Sequence, residues 1–341
     1  MSELKTIDKI ELKSKIKSKT QNHEIYEAEA ESEINMVLNH LKYSKQILKM
    51  QTIVLKEITN FFTEKGFVQL MPLILSPITD PLAPDPNASV KNVIEVECYG
   101  QKFKLMQSMI LHKQISLISG AKRIFIISPN IRIEDEKKAL TGRHCFEFSQ
   151  VDFEIADGKM QDVFRLIEEF LVRVIKRVKK ECKEELKTLG RELRIPKTPF
   201  KVFTTHELEE KFGRDWEEIS SNESKEPFWV TCHRREFYDK EDQKAEGHYL
   251  NYDLIYPEGF GEGLSGGERE YEYKKLLKKL SGRRELLEQF KHYLELSRKG
   301  LLVPSAGAGF GFERLIRFLT GKRRIEEVQL FPRIPGKKVI V

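Results

Sequence analysis

Hydrophobic residues at three- and four-residue spacing mark two long helices. Ile47, Met50, Val54, Leu55, Ile58, Phe61 and Phe62 form one apolar stripe within residues 34–65, and Gly66 supplies the stop. Met160, Val163, Phe164, Ile167, Phe170, Leu171, Val174, Ile175 and Val178 form a second, longer stripe. The period changes to two over 145–155, Cys-Phe-Glu-Phe-Ser-Gln-Val-Asp-Phe-Glu-Ile, the pattern of a half-buried strand. Short apolar runs at 67–72, 93–98, 102–106, 124–128, 228–232, 250–256 and 260–265 read as further strands. A glycine-rich strand and a helix follow over 303–320. Pro77, Pro81, Pro84 and Pro86 turn residues 76–92 into a mobile loop. Helices packed on a mostly antiparallel sheet give an α+β fold. There is no repeat and no linker after residue 50, so residues 34–341 read as one domain behind a charged extension over 1–33.

Composition narrows the class. In 341 residues, 40% are hydrophobic and 33% charged, enough for a sizeable core under a charged surface. A net charge of +6 fits small anionic substrates as well as nucleic acid, so it selects neither. The lysines at 5, 9, 13, 15, 17 and 19 and the glutamates at 24, 27, 29, 31 and 33 read as a solvated arm, with a basic contact to RNA as the alternative. Cys98, Cys145, Cys182 and Cys232 contain no C-x-x-C pair, which argues against a zinc site or a disulfide framework and for a reducing cytoplasm. No apolar run reaches the roughly 20 residues of a membrane span, and the N-terminus lacks a signal-peptide core.

Four segments carry candidate chemistry. Ile131-Arg132-Ile133-Glu134 and Arg143-His144-Cys145-Phe146-Glu147-Phe148 would bring two guanidinium groups and an aromatic ring together across a hairpin. Guanidinium groups grip phosphate oxygens in pairs, and an aromatic face stacks on a purine; a charged hairpin with surface ion pairs explains the same residues equally well. Ser305-Ala306-Gly307-Ala308-Gly309-Phe310-Gly311-Phe312-Glu313-Arg314 alternates glycine before an arginine. Such a strand admits a ligand, or a neighbouring helix, close to its backbone. It has neither the dinucleotide-binding spacing nor the Gly-Lys-Ser/Thr of a P-loop. In Gly259-Phe260-Gly261-Glu262-Gly263-Leu264-Ser265-Gly266-Gly267-Glu268-Arg269, acids and a serine lie among small residues. That set would suit Mg²⁺ beside a phosphate, or an exposed hairpin. Gln107-Ser108-Met109-Ile110-Leu111-His112-Lys113-Gln114 brings Lys113 into a helix start.

Together the segments are more specific than any one of them. Gly66-Phe67 followed by Pro72, Arg132-x-Glu134 with Arg143-His144-x-x-Glu147-Phe148, and Gly307-x-Gly309-x-Gly311-x-Glu313-Arg314 resemble the three signature motifs of class II aminoacyl-tRNA synthetases. Pro-Glu-Gly-Phe-Gly-Glu at 257–262, Tyr293-Leu294-Glu295 and Phe331-Pro332-Arg333 resemble the aspartyl/asparaginyl branch, and the likeness covers residues 45–336. The resemblance implies a class II catalytic fold, an antiparallel sheet flanked by helices, and a homodimer with Pro72 at its interface. It implies that Arg132 holds the α-phosphate of ATP, and that Glu134, Arg143 and His144 hold the rest. Phe148 would lie under the adenine, with Arg314 on its other face and against the γ-phosphate. Arg132 and Arg314 would carry the catalytic charge stabilisation. Asp253, Glu262 and Ser265 would hold Mg²⁺. Lys113 and Arg269 would grip the amino-acid side chain, with Ser108, Gln150 and Asp152 shaping its pocket.

Two cations aimed at one side chain favour aspartate over asparagine, because an unpaired buried charge is costly. The chain also departs from the branch. The residues before motif 1 are charged and helical and lack the alternating strands of the anticodon-reading barrel. The aspartyl pattern Gln-Ser-Pro-Gln becomes Gln107-Ser108-Met109-Ile110, and Pro-His before motif 3 becomes Pro304-Ser305. In these respects the chain is similar to archaeal asparagine synthetases related to asparaginyl-tRNA synthetase. That likeness implies activation of aspartate as aspartyl-adenylate and amidation by ammonia, with release of AMP and pyrophosphate. tRNA would then not be a partner. Transfer of an activated amino acid to tRNA or protein, and a non-catalytic regulatory role, are the alternatives; the intact set Arg132, Arg143, Glu262 and Arg314 counts against the last.

Overall fold

The computed structural model describes residues 30–31, 33–35, 37–38, 41, 44–80, 90–233, 237–245 and 248–340. Most of the charged extension, and residues 81–89 of the proline-rich loop, lie outside the described residues. Residues Gln46–Lys337 form one compact unit, to which all the elements below belong apart from the first two residues of the helix that starts at Ser44.

The strands are β1 (Val68–Leu70), β2 (Leu75–Ser76), β3 (Val90–Asn92), β4 (Glu95–Cys98), β5 (Gln101–Leu105), β6 (Arg123–Ile131), β7 (Ile133–Glu134), β8 (Glu147–Ala156), β9 (Lys201–Thr204), β10 (Phe228–Thr231), β11 (Asn251–Tyr256), β12 (Gly261–Glu268) and β13 (Ser305–Gly311). Eight of them make one sheet in the order β1-β6-β8-β13-β12-β11-β10-β9. Its centre is antiparallel, as the sequence predicts, but both edges pair in parallel, β1 with β6 and β10 with β9. Three- and four-residue strands carry no mark of direction, so the edges were not readable from the pattern.

One face of this sheet is packed by the two long helices. Helix Ser44–Glu64 buries Ile47, Met50, Val54, Ile58, Phe61 and Phe62. Leu55, read as part of the same stripe, is 36% exposed at its edge. Helix Met160–Glu181 buries Val163, Ile167, Phe170, Leu171, Val174, Ile175 and Val178. Phe62 stacks on Phe125 at 5.2 Å and meets Phe153 and Phe170, so both helices and β6 and β8 share one aromatic centre. Each such ring contributes roughly 1.5–3 kcal/mol by leaving water.

The alternation along β8 then decides where chemistry can occur. Val151, Phe153 and Ile155 point into the core, so Gln150, Asp152 and Glu154 must face the other side of the sheet. The central glycines let the strands close over those polar groups. A Cβ on Gly307 would lie 2.2 Å from both the Phe153 carbonyl and Glu154 Oε2, so no larger residue fits.

Candidate active site

The polar face of the sheet opens into a cavity of about 750 Å³. Ser108, Lys113, Arg132, Glu134, Arg143, His144, Phe148, Gln150, Asp152, Asp253, Glu262, Ser265, Arg269 and Arg314 all line it. Residues spread over 200 positions of chain therefore converge on one space.

At one end the cavity is built of arginines. Arg132 donates Nε–H to the Gln107 carbonyl at 3.0 Å and lies 5.2 Å from the centre of the Phe148 ring. Arg314 donates to the Glu262 carbonyl at 3.2 Å and stands 3.4 Å from that residue's carboxylate. Arg143 pairs with Glu217 through both terminal nitrogens. His144 contacts Thr141 Oγ1 through Nδ1 at 2.6 Å. Burial, then the Arg314 and Arg143 guanidinium groups, push its imidazole down to about 2, so the ring is neutral at physiological pH. It can offer a hydrogen bond there but no charge.

A bulge explains how Glu262 and Ser265 share the cavity. Three positions apart on a regular strand they would face opposite ways. On β12 the register shifts, with Leu254 opposite Leu264 but Ile255 opposite Glu262, and the extra residue reverses the alternation between them. Asp253 stands directly across from Ser265. Its Oδ2 lies 3.3 Å from His233 Nε2. Among the described residues no three acids, histidines or cysteines are grouped closely enough to hold a metal by themselves. Two carboxylates and a hydroxyl beside the arginine-lined end of the cavity do fit Mg²⁺, which commonly takes one or two carboxylates and completes its shell with other oxygen ligands.

The other end of the cavity is a buried charge network. Lys113, on helix Ile110–Ser116, is 1% exposed; its ammonium lies 3.1 Å from Asp152 Oδ1, 3.4 Å from Glu154 Oε2 and 3.1 Å from the Ala308 carbonyl. Arg269 donates Nε–H to Glu154 at 3.1 Å and Nη2–H to the Gly307 carbonyl at 2.9 Å, and it lies 3.6 Å from Asp239. Burial alone would lower its pKa, but Glu154 and Asp239 outweigh that and hold the guanidinium charged. Ser305, in the place of a histidine in the aspartyl pattern, donates to Glu154 at 2.9 Å. Asp152 Oδ2 is buried with no hydrogen-bond partner among the described residues. An orphaned carboxylate oxygen at a cavity wall is an acceptor awaiting a donor. Ser108 Oγ accepts the Ile110 N–H at 3.3 Å, so it serves the helix start as well as the wall. Gln150 Oε1 accepts from Asn130 at 2.5 Å.

Several lining residues escaped the sequence reading. Trp216 and Glu217 open helix Trp216–Glu223, His206 lies on helix Thr205–Phe212, and Cys232, His233, Tyr238 and Asp239 follow β10. Asp80 also lines the cavity and accepts the Tyr238 hydroxyl at 2.7 Å. No spacing marks these residues. All but Asp80 come from the connection between β8 and β11, and Asp80 comes from the segment after β2.

Known proteins resemble this chain in sequence and in fold. The aspartate–tRNA(Asp/Asn) ligase of Methanopyrus kandleri is 32% identical over 307 residues, covering 84% of this chain and 67% of the relative. The asparagine–tRNA ligase of Pelotomaculum thermopropionicum is 32% identical over 84% of this chain and 69% of its own length. Among solved structures, Pyrococcus horikoshii asparaginyl-tRNA synthetase complexed with asparaginyl-adenylate superposes with a TM-score of 0.75 at 24% identity, over 87% of this chain and 70% of that one. The Entamoeba histolytica asparaginyl-tRNA synthetase in complex with asparaginyl-adenylate gives 0.76 at 19% identity, over 88% and 69%. These two likenesses concern the fold alone. Residues 28–335 match the family described as tRNA synthetases class II (D, K and N), and the chain belongs to that family.

Proposed function

We propose that this protein activates aspartate with ATP as an aspartyl-adenylate and transfers the aspartyl group to ammonia, giving asparagine, AMP and pyrophosphate. The observation that carries the reading is the two-ended cavity. Arg132, Arg143 and Arg314 crowd one end, and at the other two buried cations, Lys113 and Arg269, lie among Asp152, Glu154 and Asp239, with Oδ2 of Asp152 left without a hydrogen-bond partner among the described residues. An α-amino acid with an acidic side chain offers the complementary ammonium and carboxylates.

In the first step a carboxylate oxygen of aspartate attacks the α-phosphorus, and the bond to the β-phosphate oxygen breaks. The arginines stabilise the charge gathering on the pyrophosphate, and Arg132 faces the α-phosphate. Phe148 supplies the adenine platform, with Glu134 and neutral His144 as hydrogen-bonding partners. Asp253, Glu262 and Ser265 would hold Mg²⁺, which would neutralise triphosphate charge. In the second step ammonia attacks the acyl carbon, AMP departs with the bonding electrons, and a proton passes to solvent. Free asparagine requires that the side-chain carboxylate be the one activated, so Lys113 and Arg269 would hold the α-carboxylate.

Two departures support amidation over tRNA charging. Met109 and Ile110 are buried and apolar where the aspartyl pattern has Pro-Gln, and Ser305 is committed to Glu154. Transfer to tRNA is the second reading, because the named relatives are tRNA ligases. Around Pro72, Val68, Met71 and Ile74 expose 56%, 85% and 58% of their surface, a patch suited to a second copy of the chain, so we assign a homodimer. The four unpaired cysteines suit a reducing cytoplasm. Among the described residues no helix is long and apolar enough to cross a membrane.

The test is to incubate the protein with ATP, Mg²⁺, aspartate and ammonium without tRNA, and to assay asparagine and AMP. Equal amounts of both support the proposal. Aspartate-dependent pyrophosphate exchange without asparagine refutes amidation and favours a tRNA acceptor. No exchange at all refutes adenylation.

A further inference from the structure

One acid at the nucleotide end has no place in any motif. Glu217 accepts from both terminal nitrogens of Arg143, Nη2 at 3.5 Å and Nη1 closer, and its Oε1 also accepts the backbone N–H of Glu262 at 3.0 Å. The Glu262 carbonyl in turn accepts from Arg314 at 3.2 Å. One carboxylate thus joins the Arg143 segment to β12, and through β12 to helix Phe312–Thr320. The fit is close: a Cβ on Gly261, which has φ +71°, would lie 2.5 Å from Arg143 Nη1 and 2.9 Å from Glu217 Oε1. Arg143 and Glu217 both line the cavity and remain 29% and 28% exposed, so an arriving triphosphate could reach them.

We propose that Glu217 is a positioning residue for ATP. This rests on the reading that the arginine-rich end holds the nucleotide. A free arginine side chain samples many rotamers, and ordering it at binding costs conformational entropy. Glu217 removes that freedom beforehand and fixes the plane of the fork. A guanidinium has five N–H donors, and the pair engages the two terminal nitrogens without consuming all five. By accepting the Glu262 N–H, Glu217 also sets the strand that carries the proposed Mg²⁺ ligand. The pair is close to neutral, so its contribution is orientation rather than net attraction.

The experiment is calorimetric titration of Mg·ATP into the full chain without aspartate, with aspartate KM measured separately by pyrophosphate exchange. Glu217→Gln keeps an acceptor for the Glu262 N–H but loses the charge pair. We expect ATP binding weaker by roughly five- to tenfold, the size carried by one partly exposed, hydrogen-bonded charge pair, with aspartate KM within about twofold. Glu217→Asp, which restores the charge on a shorter arm, should fall between wild type and Glu217→Gln. In an Arg143→Ala background, Glu217→Gln should cost less than about twofold more, because its partner is already gone. Unchanged or tighter ATP binding in both Glu217 variants overturns the inference, tighter binding marking Glu217 as a latch that ATP must break. Equal losses for ATP and aspartate, with a lowered melting temperature, overturn it in favour of a structural role. Failure of the wild type to bind Mg·ATP refutes the nucleotide reading itself, before any variant is compared.

Discussion

Removing Glu154 should strand two buried cations. Glu154 has no exposed surface, holds Arg269 at 3.1 and 3.4 Å, accepts from Ser305 at 2.9 Å and lies 3.4 Å from the Lys113 ammonium. Breaking a buried ion pair from one side costs about 3–5 kcal/mol, since the remaining charge has lost both water and partner. Asp152, 3.1 Å from Lys113, and Asp239, 3.6 Å from Arg269, take over part of that role, so the lower end, about 3 kcal/mol, is expected for Glu154→Ala. Equilibrium urea unfolding measures it: the midpoint should fall with the slope unchanged. Combining Glu154→Ala with Arg269→Met removes one stranded charge along with its partner, so the double variant should be at least about 1 kcal/mol more stable than the sum of the single losses. A single loss below about 1 kcal/mol, or strict additivity in the pair, refutes the claim that these contacts act as one network.

Gly309→Ala would place a Cβ 2.3 Å from Gln150 Nε2 and 2.6 Å from Asp152 Oδ1. Steady-state kinetics should show aspartate KM raised roughly tenfold or more with ATP KM little changed, because the clash displaces the substrate wall. Arg317 is 4% exposed, lies over the Phe260 ring and donates Nη2–H to the Phe260 carbonyl at 2.8 Å, while its Nε and Nη1 have no hydrogen-bond partner among the described residues. Burial, then Arg314, Arg143 and Arg323, lower its pKa to about 10, so Arg317→Met should raise stability by about 1–2 kcal/mol in urea unfolding. Two buried groups should bend the pH–stability curve in opposite directions. Burial raises the Glu313 carboxyl to about 7, so its contribution is complete below about pH 4.5 and is lost as pH rises towards 7; His144, pushed down to about 2, contributes fully above about pH 6.5 and loses stability as pH falls below it. Measured from pH 4.5 to 7.5, the stability of wild type minus that of Glu313→Gln should therefore decrease with pH, and wild type minus His144→Gln should increase.

Much of the sheet and its packing was legible because it depends on local periodicity. The stripes of the two long helices and the alternation at 145–155 point to the elements that build the core, and β11, β12 and β13 fall close to the runs read as strands. The motif residues were legible as types and spacings, and the structure brings all fourteen of the named candidates to one cavity. Residues 201–223 were not read, because their apolar positions are few: Phe203, Leu208, Phe212 and Trp216 join Phe228, Val230 and Ile255 of the neighbouring strands in a small separate cluster. Glu217 belongs to that segment. It sits beside Glu218 in a charged stretch, and only the fold reveals that one of the two glutamates meets an arginine 74 positions away.

The reading of Lys113 and Arg269 shows what type and spacing leave out. From the sequence they are two cations available to a substrate carboxylate. In the structure each is already held, and together they face Asp152, Glu154 and Asp239. Two cations against three carboxylates leave the floor short of positive charge, so electrostatic attraction alone does not select an anion there. What this end of the cavity does lack, among the described residues, is a donor for Asp152 Oδ2. Under the proposed function the ammonium of the amino acid would satisfy that atom, and its arrival would offset the excess negative charge. Lys113 and Arg269 are then shared between the floor and the substrate instead of being left to the acids alone. Recognition at this end is therefore cooperative: the ammonium must be seated for the cations to be worth their full value to a carboxylate. An amine-free diacid such as succinate should bind far more weakly than loss of one hydrogen bond implies, by more than the roughly tenfold to hundredfold of a single charged contact. Competition by succinate against aspartate in pyrophosphate exchange measures this, and inhibition at concentrations near the aspartate KM would refute it.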